Sequence, residues 1–90
     1  MPLKELMFVF LIKKYIVRPI MGYKPGRCLL SRRLREIGKN QQWLSEITGI
    51  SKTQISNYAT NSRYMSLSSA KTIASAIGCH IDDLYEFIQE

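Results

Sequence analysis

Gly49 is the position that most constrains this chain, because of what surrounds it between Gln41 and Thr60. Before it, Leu44 and Ile47 mark the buried side of a first helix, and Ser45 is small where a second helix must cross closely. Glycine permits the positive φ of a tight turn. After it, Ser51 is a good N-cap, its hydroxyl able to accept an amide hydrogen of the next helix. Ile55 and Tyr58, three apart, form the apolar stripe of that second helix. Lys52, Thr53, Gln54, Ser56 and Asn57 are polar and face the other way. The combination predicts a helix-turn-helix. A short helix that offers only hydrogen-bonding side chains and little acid suits the major groove of DNA. Any one of these features alone would describe an ordinary helical hairpin with a solvated outer face.

The charge is distributed to match. The 90 residues carry a net charge of +6, but its placement matters more than its size. From Lys24 to Arg63 there are eight Lys or Arg and two Glu; from Lys71 to Glu90 there is one Lys against four acids. A basic half that coincides with the two-helix segment favours a polyanion at one face. A chain of this length buries one modest core.

Enzymatic chemistry finds no support. No nucleophile–base pairing, glycine-rich phosphate loop or acid dyad is present. Cys28 and Cys79 lie far apart and form no Cys-x-x-Cys pair; His80 beside Cys79 lacks further ligands at a metal-binding spacing. They read as small, reduced hydrophobes of an intracellular, cytoplasmic protein. No metal and no cofactor is expected.

Five helices are predicted after an irregular start in which Pro25-Gly26 breaks any earlier element. Helix one should run from about Arg27 to Ile37, with Leu30, Leu34 and Ile37 facing inward. Asn40 should cap helix two, Gln41 to Thr48, and helix three should span Lys52 to Ala59. Asn61 is placed for a left-handed backbone. Helix four should run from Leu67 to Ile77, capped by Ser66, burying Ala70, Ile73, Ala74 and Ile77, and ended by Gly78. Helix five is expected from Asp82 to Ile88, its acids matching the helix dipole. Lone His80 reads as an exposed loop residue. The expected core is Leu30, Leu34, Leu44, Ile47, Ile55, Ile73, Ile77 and Leu84.

Residues 26 to 88 resemble the phage Cro/repressor family of helix-turn-helix regulators. Leu30, Leu34 and Gly38 sit where that family has its first helix and following loop; Ile73-Ala74-Ser75-Ala76-Ile77-Gly78 and Asp82-Asp83-Leu84-Tyr85 resemble its last two helices. The resemblance implies an all-α, five-helix lambda repressor-like fold and a sequence-specific repressor that binds double-stranded DNA as a homodimer. It matches Lys52, Thr53 and Asn57 to base-reading positions, with Gln54 and Ser56 flanking. Gln41 matches a position that holds a phosphate at a helix N-terminus, and Ser51, Ser56 and Arg63 complete the expected backbone contacts. One departure stands out. The family commonly pairs an arginine of helix one with a glutamate ending helix three, and Leu34 and Ala59 occupy those places. Both partners change together, so no buried charge is stranded.

Residues 1–20 form an arm ahead of the DNA-binding domain at 21–90. Leu6 to Ile12 is a seven-residue apolar run followed by Lys13-Lys14. It is too short to span a bilayer and lacks a signal peptide's cleavage site, so no membrane partner is expected. Its β-branched and aromatic content favours a strand, and pairing with the same arm of a second chain would bury it. A rival reading keeps the fold but makes the partner a protein, as in an anti-repressor or antitoxin. It leans on the exposed-looking Trp43 and on the apolar arm.

Overall fold

The computed structural model describes residues 22–90, and the arm at 1–20 with its Leu6–Ile12 run lies outside them. In chain order the elements are strand β1 (Tyr23–Cys28), helices α1 (Leu30–Glu36), α2 (Gln41–Thr48), α3 (Lys52–Ala59) and α4 (Leu67–Ile77), a 3-10 turn at Ile81–Asp83, and strand β2 (Tyr85–Gln89). The three central helices start and stop where their caps place them. Asn40 Oδ1 accepts the amide hydrogen of Trp43 at 2.9 Å, Ser51 Oγ that of Gln54 at 3.1 Å, and Ser66 Oγ that of Ser69 at 3.1 Å. Gly78 closes α4 in the left-handed region.

Two expectations fail, and they fail together. The predicted fifth helix, Asp82 to Ile88, is a single 3-10 turn followed by β2. The predicted irregular start is β1, which runs through Pro25-Gly26 and takes Arg27 and Cys28 out of helix one. Among the described residues the fold is therefore four helices and a two-stranded antiparallel sheet. Tyr23 faces Gln89, Lys24 faces Ile88, Pro25 faces Phe87 and Cys28 faces Tyr85, so one extra residue bulges between Pro25 and Cys28. Tyr85-Glu86-Phe87-Ile88 is rich in aromatic and β-branched residues, and pairing with β1 outweighs the dipole-matching acids before it. In a two-stranded sheet every position is an edge, so Pro25 costs no central hydrogen bond. Gly26 is held for lack of room: a Cβ there would lie 2.9 Å from Ile88 Cδ1 and 3.0 Å from the Glu86 carbonyl oxygen.

The core joins sheet to helices. Leu30, Leu44, Ile55, Ile73 and Leu84 are fully buried, with Cys28, Leu34, Tyr58, Ala70, Ala74 and Tyr85 around them. Ile77 packs on this cluster half-buried. Ile47 and Ile37, both expected inside, are 50% and 39% exposed. Helix α2 turns Leu44, Ser45 and Thr48 inward, which leaves Ile47 on its flank. Ile37 lies beyond the last turn of α1. Leu34 is buried, and Ala59 is packed against the core. Arg33 ties α1 to the far end of the chain, its Nε donating to the Asp83 carbonyl at 2.8 Å and its Nη1 pairing with Glu36 at 2.9 Å.

Candidate nucleic-acid interface

The turn between α2 and α3 is built by hydroxyls as much as by glycine. Gly49 adopts φ 74° and donates its amide hydrogen back to the Ser45 carbonyl. Ser45 Oγ donates to the Ile50 carbonyl at 2.7 Å, and Thr48 Oγ1 accepts from the Ile50 amide at 3.2 Å. A small polar residue at Ser45 therefore both lets α3 approach and holds the turn. Ile55 and Tyr58 then anchor α3 from below, and the Tyr58 hydroxyl lies 3.5 Å from Ser69 Oγ of α4.

What α3 presents outward is as its sequence requires. Lys52, Thr53 and Gln54 are exposed on its first turn, and Ser51 is exposed just before it. Ser56 and Asn57 are half-buried at the flank. Gln41, first residue of α2, is half-buried. Arg63 is exposed in the loop after α3, and its amide hydrogen, like that of Ser62, bonds the Asn57 carbonyl. The base-reading candidates thus lie on one helix, and Arg63 is attached to the same helix through the backbone.

That attachment is reinforced from behind by groups the sequence reading left out. The Tyr85 hydroxyl on β2 accepts the Met65 amide hydrogen at 3.0 Å, and the Tyr85 ring meets Tyr64 edge-on at 6.1 Å. Asn61, at φ 62°, is the left-handed residue expected. Its side chain does more than tolerate that backbone: Oδ1 accepts the Cys28 amide hydrogen and Nδ2 donates to the Gly26 carbonyl, each at 2.8 Å. The exit of α3 is therefore fastened to β1. No short-range sequence signal could have found these bonds, which join residues over thirty positions apart.

The cysteines take no part in the surface. Burial pushes the Cys28 thiol above its ordinary pKa, and burial with the nearby Asp83 carboxylate does the same at Cys79, so both stay protonated at neutral pH. Among the described residues, no three His, Cys, Asp or Glu side chains gather as a metal site, and no helix is long and apolar enough to cross a membrane. Trp43, expected to be exposed, is half-buried against the core, and Lys39 Nζ stands 5.4 Å from its ring centre.

A capped, exposed polar helix, crossed by a second through a glycine turn and backed by a basic segment, defines a DNA-binding helix-turn-helix protein. Residues 30–90 match the Cro/C1-type HTH DNA-binding domain. The chain belongs to that family. It is 44% identical over 63 residues to YopS of Bacillus subtilis (strain 168), described as an SPbeta prophage-derived uncharacterized HTH-type transcriptional regulator; the match covers 69% of this chain and 85% of YopS. It is 36% identical over 64 residues to YotL, described in the same terms, covering 70% of this chain and 80% of YotL. No solved structure matches it significantly.

Proposed function

We propose that this protein is a sequence-specific transcriptional repressor of prophage type that binds its operator as a homodimer. The observation that carries the reading is the outward face of α3, where Lys52, Thr53 and Gln54 stand free of any intramolecular side-chain bond among the described residues. Kinship with SPbeta prophage-derived regulators supports the prophage setting. Two copies of α3 enter successive major grooves roughly 34 Å apart, and occupancy of the site excludes polymerase. Lys52 donates to guanine O6 and N7, Asn57 accepts from adenine N6 through its Oδ1 and donates to N7 through its Nδ2, and Thr53 and Gln54 contact neighbouring base edges. Gln41 at the start of α2, Ser51, Ser56 and Arg63 hold the phosphates on either side. The protein works in the cytoplasm, where its DNA is.

Selection of bound duplexes from a random DNA pool, followed by salt-titrated binding to the recovered sequence, tests this reading. A recovered consensus with half-sites one helical turn apart is expected, with affinity falling steeply as salt rises. A chain that enriches no sequence and ignores duplex DNA at low salt would sink it. A second reading, a protein-binding module such as an anti-repressor or antitoxin, has one specific observation in its favour. Trp43 and Ile47, four apart on α2, leave a partly exposed apolar flank beside the turn. Tight capture of a protein partner without DNA binding would select it.

A further inference from the structure

A basic groove of about 520 Å³ lies where β1, α1 and the exit of α3 meet. Arg32 and Arg35, three apart on α1, line it together with Arg27 from the bulge of β1, and Ser31 and Thr60 add hydroxyls. Among the described residues the one ion pair is Arg33 with Glu36, so the three groove arginines are unpaired there. A single carboxylate, Glu86 of β2, shares the lining. The groove is also held in shape: the two Asn61 side-chain bonds fix the backbone on either side of Arg27 against the end of α3. Three guanidinium groups facing one concavity repel one another unless an anion lies between them. Their planar forks match phosphate oxygens two at a time.

We propose that this groove is a second phosphate-binding surface, which takes the sugar-phosphate backbone of the duplex read by α3. The proposal rests on the reading that α3 docks in DNA. An eight-residue helix is about 12 Å long, so the groove stands roughly one helix length from Lys52, in reach of phosphates flanking the read bases. The open, polar lining with a threefold excess of arginine over acid suits a continuous phosphodiester chain rather than an enclosed small ligand. The contribution is to affinity and register, because phosphates carry no base identity.

The full chain is measured as wild type, Arg32→Ala/Arg35→Ala and Glu86→Gln, by anisotropy on the selected duplex and on a scrambled duplex across a salt series. The double variant is expected to lose the same factor on both duplexes, with the salt slope shallower by about 0.9 for each arginine removed. Its melting temperature should not fall, since both arginines are exposed and their mutual repulsion is removed. Glu86→Gln, which removes the opposing charge, should bind both duplexes more tightly. If wild type binds selectively and the double variant keeps the same slope, the groove does not touch DNA and the proposal is overturned. If the double variant keeps its DNA affinity and loses only the rise in melting temperature that inorganic phosphate gives wild type, the groove takes a free anion and the proposal equally fails. If wild type binds no duplex at all, it is the DNA reading of α3 that has failed.

Discussion

Asn61 does two things at one position, and substitutions separate them. It accepts a left-handed backbone at φ 62°, and its amide bridges the Gly26 carbonyl and the Cys28 amide. Asn61→Gly keeps the backbone freedom and loses both bonds; each is worth about 0.5–1.5 kcal/mol. Asn61→Ala loses the same bonds and also lacks the tolerance that asparagine and glycine have for the left-handed region, a further cost of about 1 kcal/mol. Chemical denaturation should therefore rank wild type above glycine and glycine above alanine. A glycine variant more stable than wild type would show that the two amide bonds do not outweigh the relief of backbone strain. Cys28 makes a second prediction at this scale. Its thiol pKa, and that of the Tyr85 hydroxyl, are raised chiefly by burial. A group raised in the folded state is fully stabilising below its unfolded pKa, and that contribution is lost as pH climbs through the folded value. Stability should thus be flat near neutrality and fall above pH 9.0, the ordinary thiol value. Thermal melts at pH 7 and pH 10 should fall further apart for wild type than for Cys28→Ala; an equal fall would exonerate the thiol.

Among the elements, the helix pair was legible because each of its determinants is local. Asn40 and Ser51 cap the helix that immediately follows them, Gly49 serves its own φ, and Ile55 with Tyr58 declares the buried side within one turn. Ser51→Ala should accordingly cost about 1 kcal/mol of stability, read by denaturation; no loss would mean water caps α3 as well as the hydroxyl does. On the reading of α3 above, Lys52→Ala or Asn57→Ala should cost roughly 1–3 kcal/mol on the preferred site and relax one base position, while Arg63→Ala weakens all sequences alike. Identical losses for all three on every sequence would mean α3 does not discriminate bases. The sheet was not legible because its determinants are distant. Tyr85 to Ile88 is rich in aromatic and β-branched residues, but its partner is at the other end of the described chain, behind a Pro-Gly pair that reads as a break. Ile47 misled for a geometric reason: an apolar residue three after Leu44 falls on the flank once Ser45 and Thr48 take the inner face. Tyr85, which braces the loop after α3, and Arg33, which ties α1 to Asp83, had no local signature.

For the molecule as a whole, the sheet changes what the arm at 1–20 is attached to. A chain beginning at Met21 keeps all of β1 and should fold, with the same melting behaviour and base preference. If the arm pairs two copies, that shortened chain should associate less and hold two half-sites less cooperatively. Sedimentation of the two lengths decides it: an unchanged association state removes the dimer arm, and failure to fold would place residues 1–20 in the domain's own core. Removing β1 as well is a different matter, because Cys28 belongs to the core and the Leu29 amide bonds the Leu84 carbonyl. The Gly22 carbonyl likewise accepts the Glu90 amide hydrogen. The pairing of β1 with β2 has a consequence for synthesis. The first of these strands emerges from the ribosome with its edge unmatched and must wait while all four helices are made before its partner appears. A message cut short ahead of Tyr85 therefore yields helices that lack the buried Tyr85 ring and leave β1 with no strand to pair.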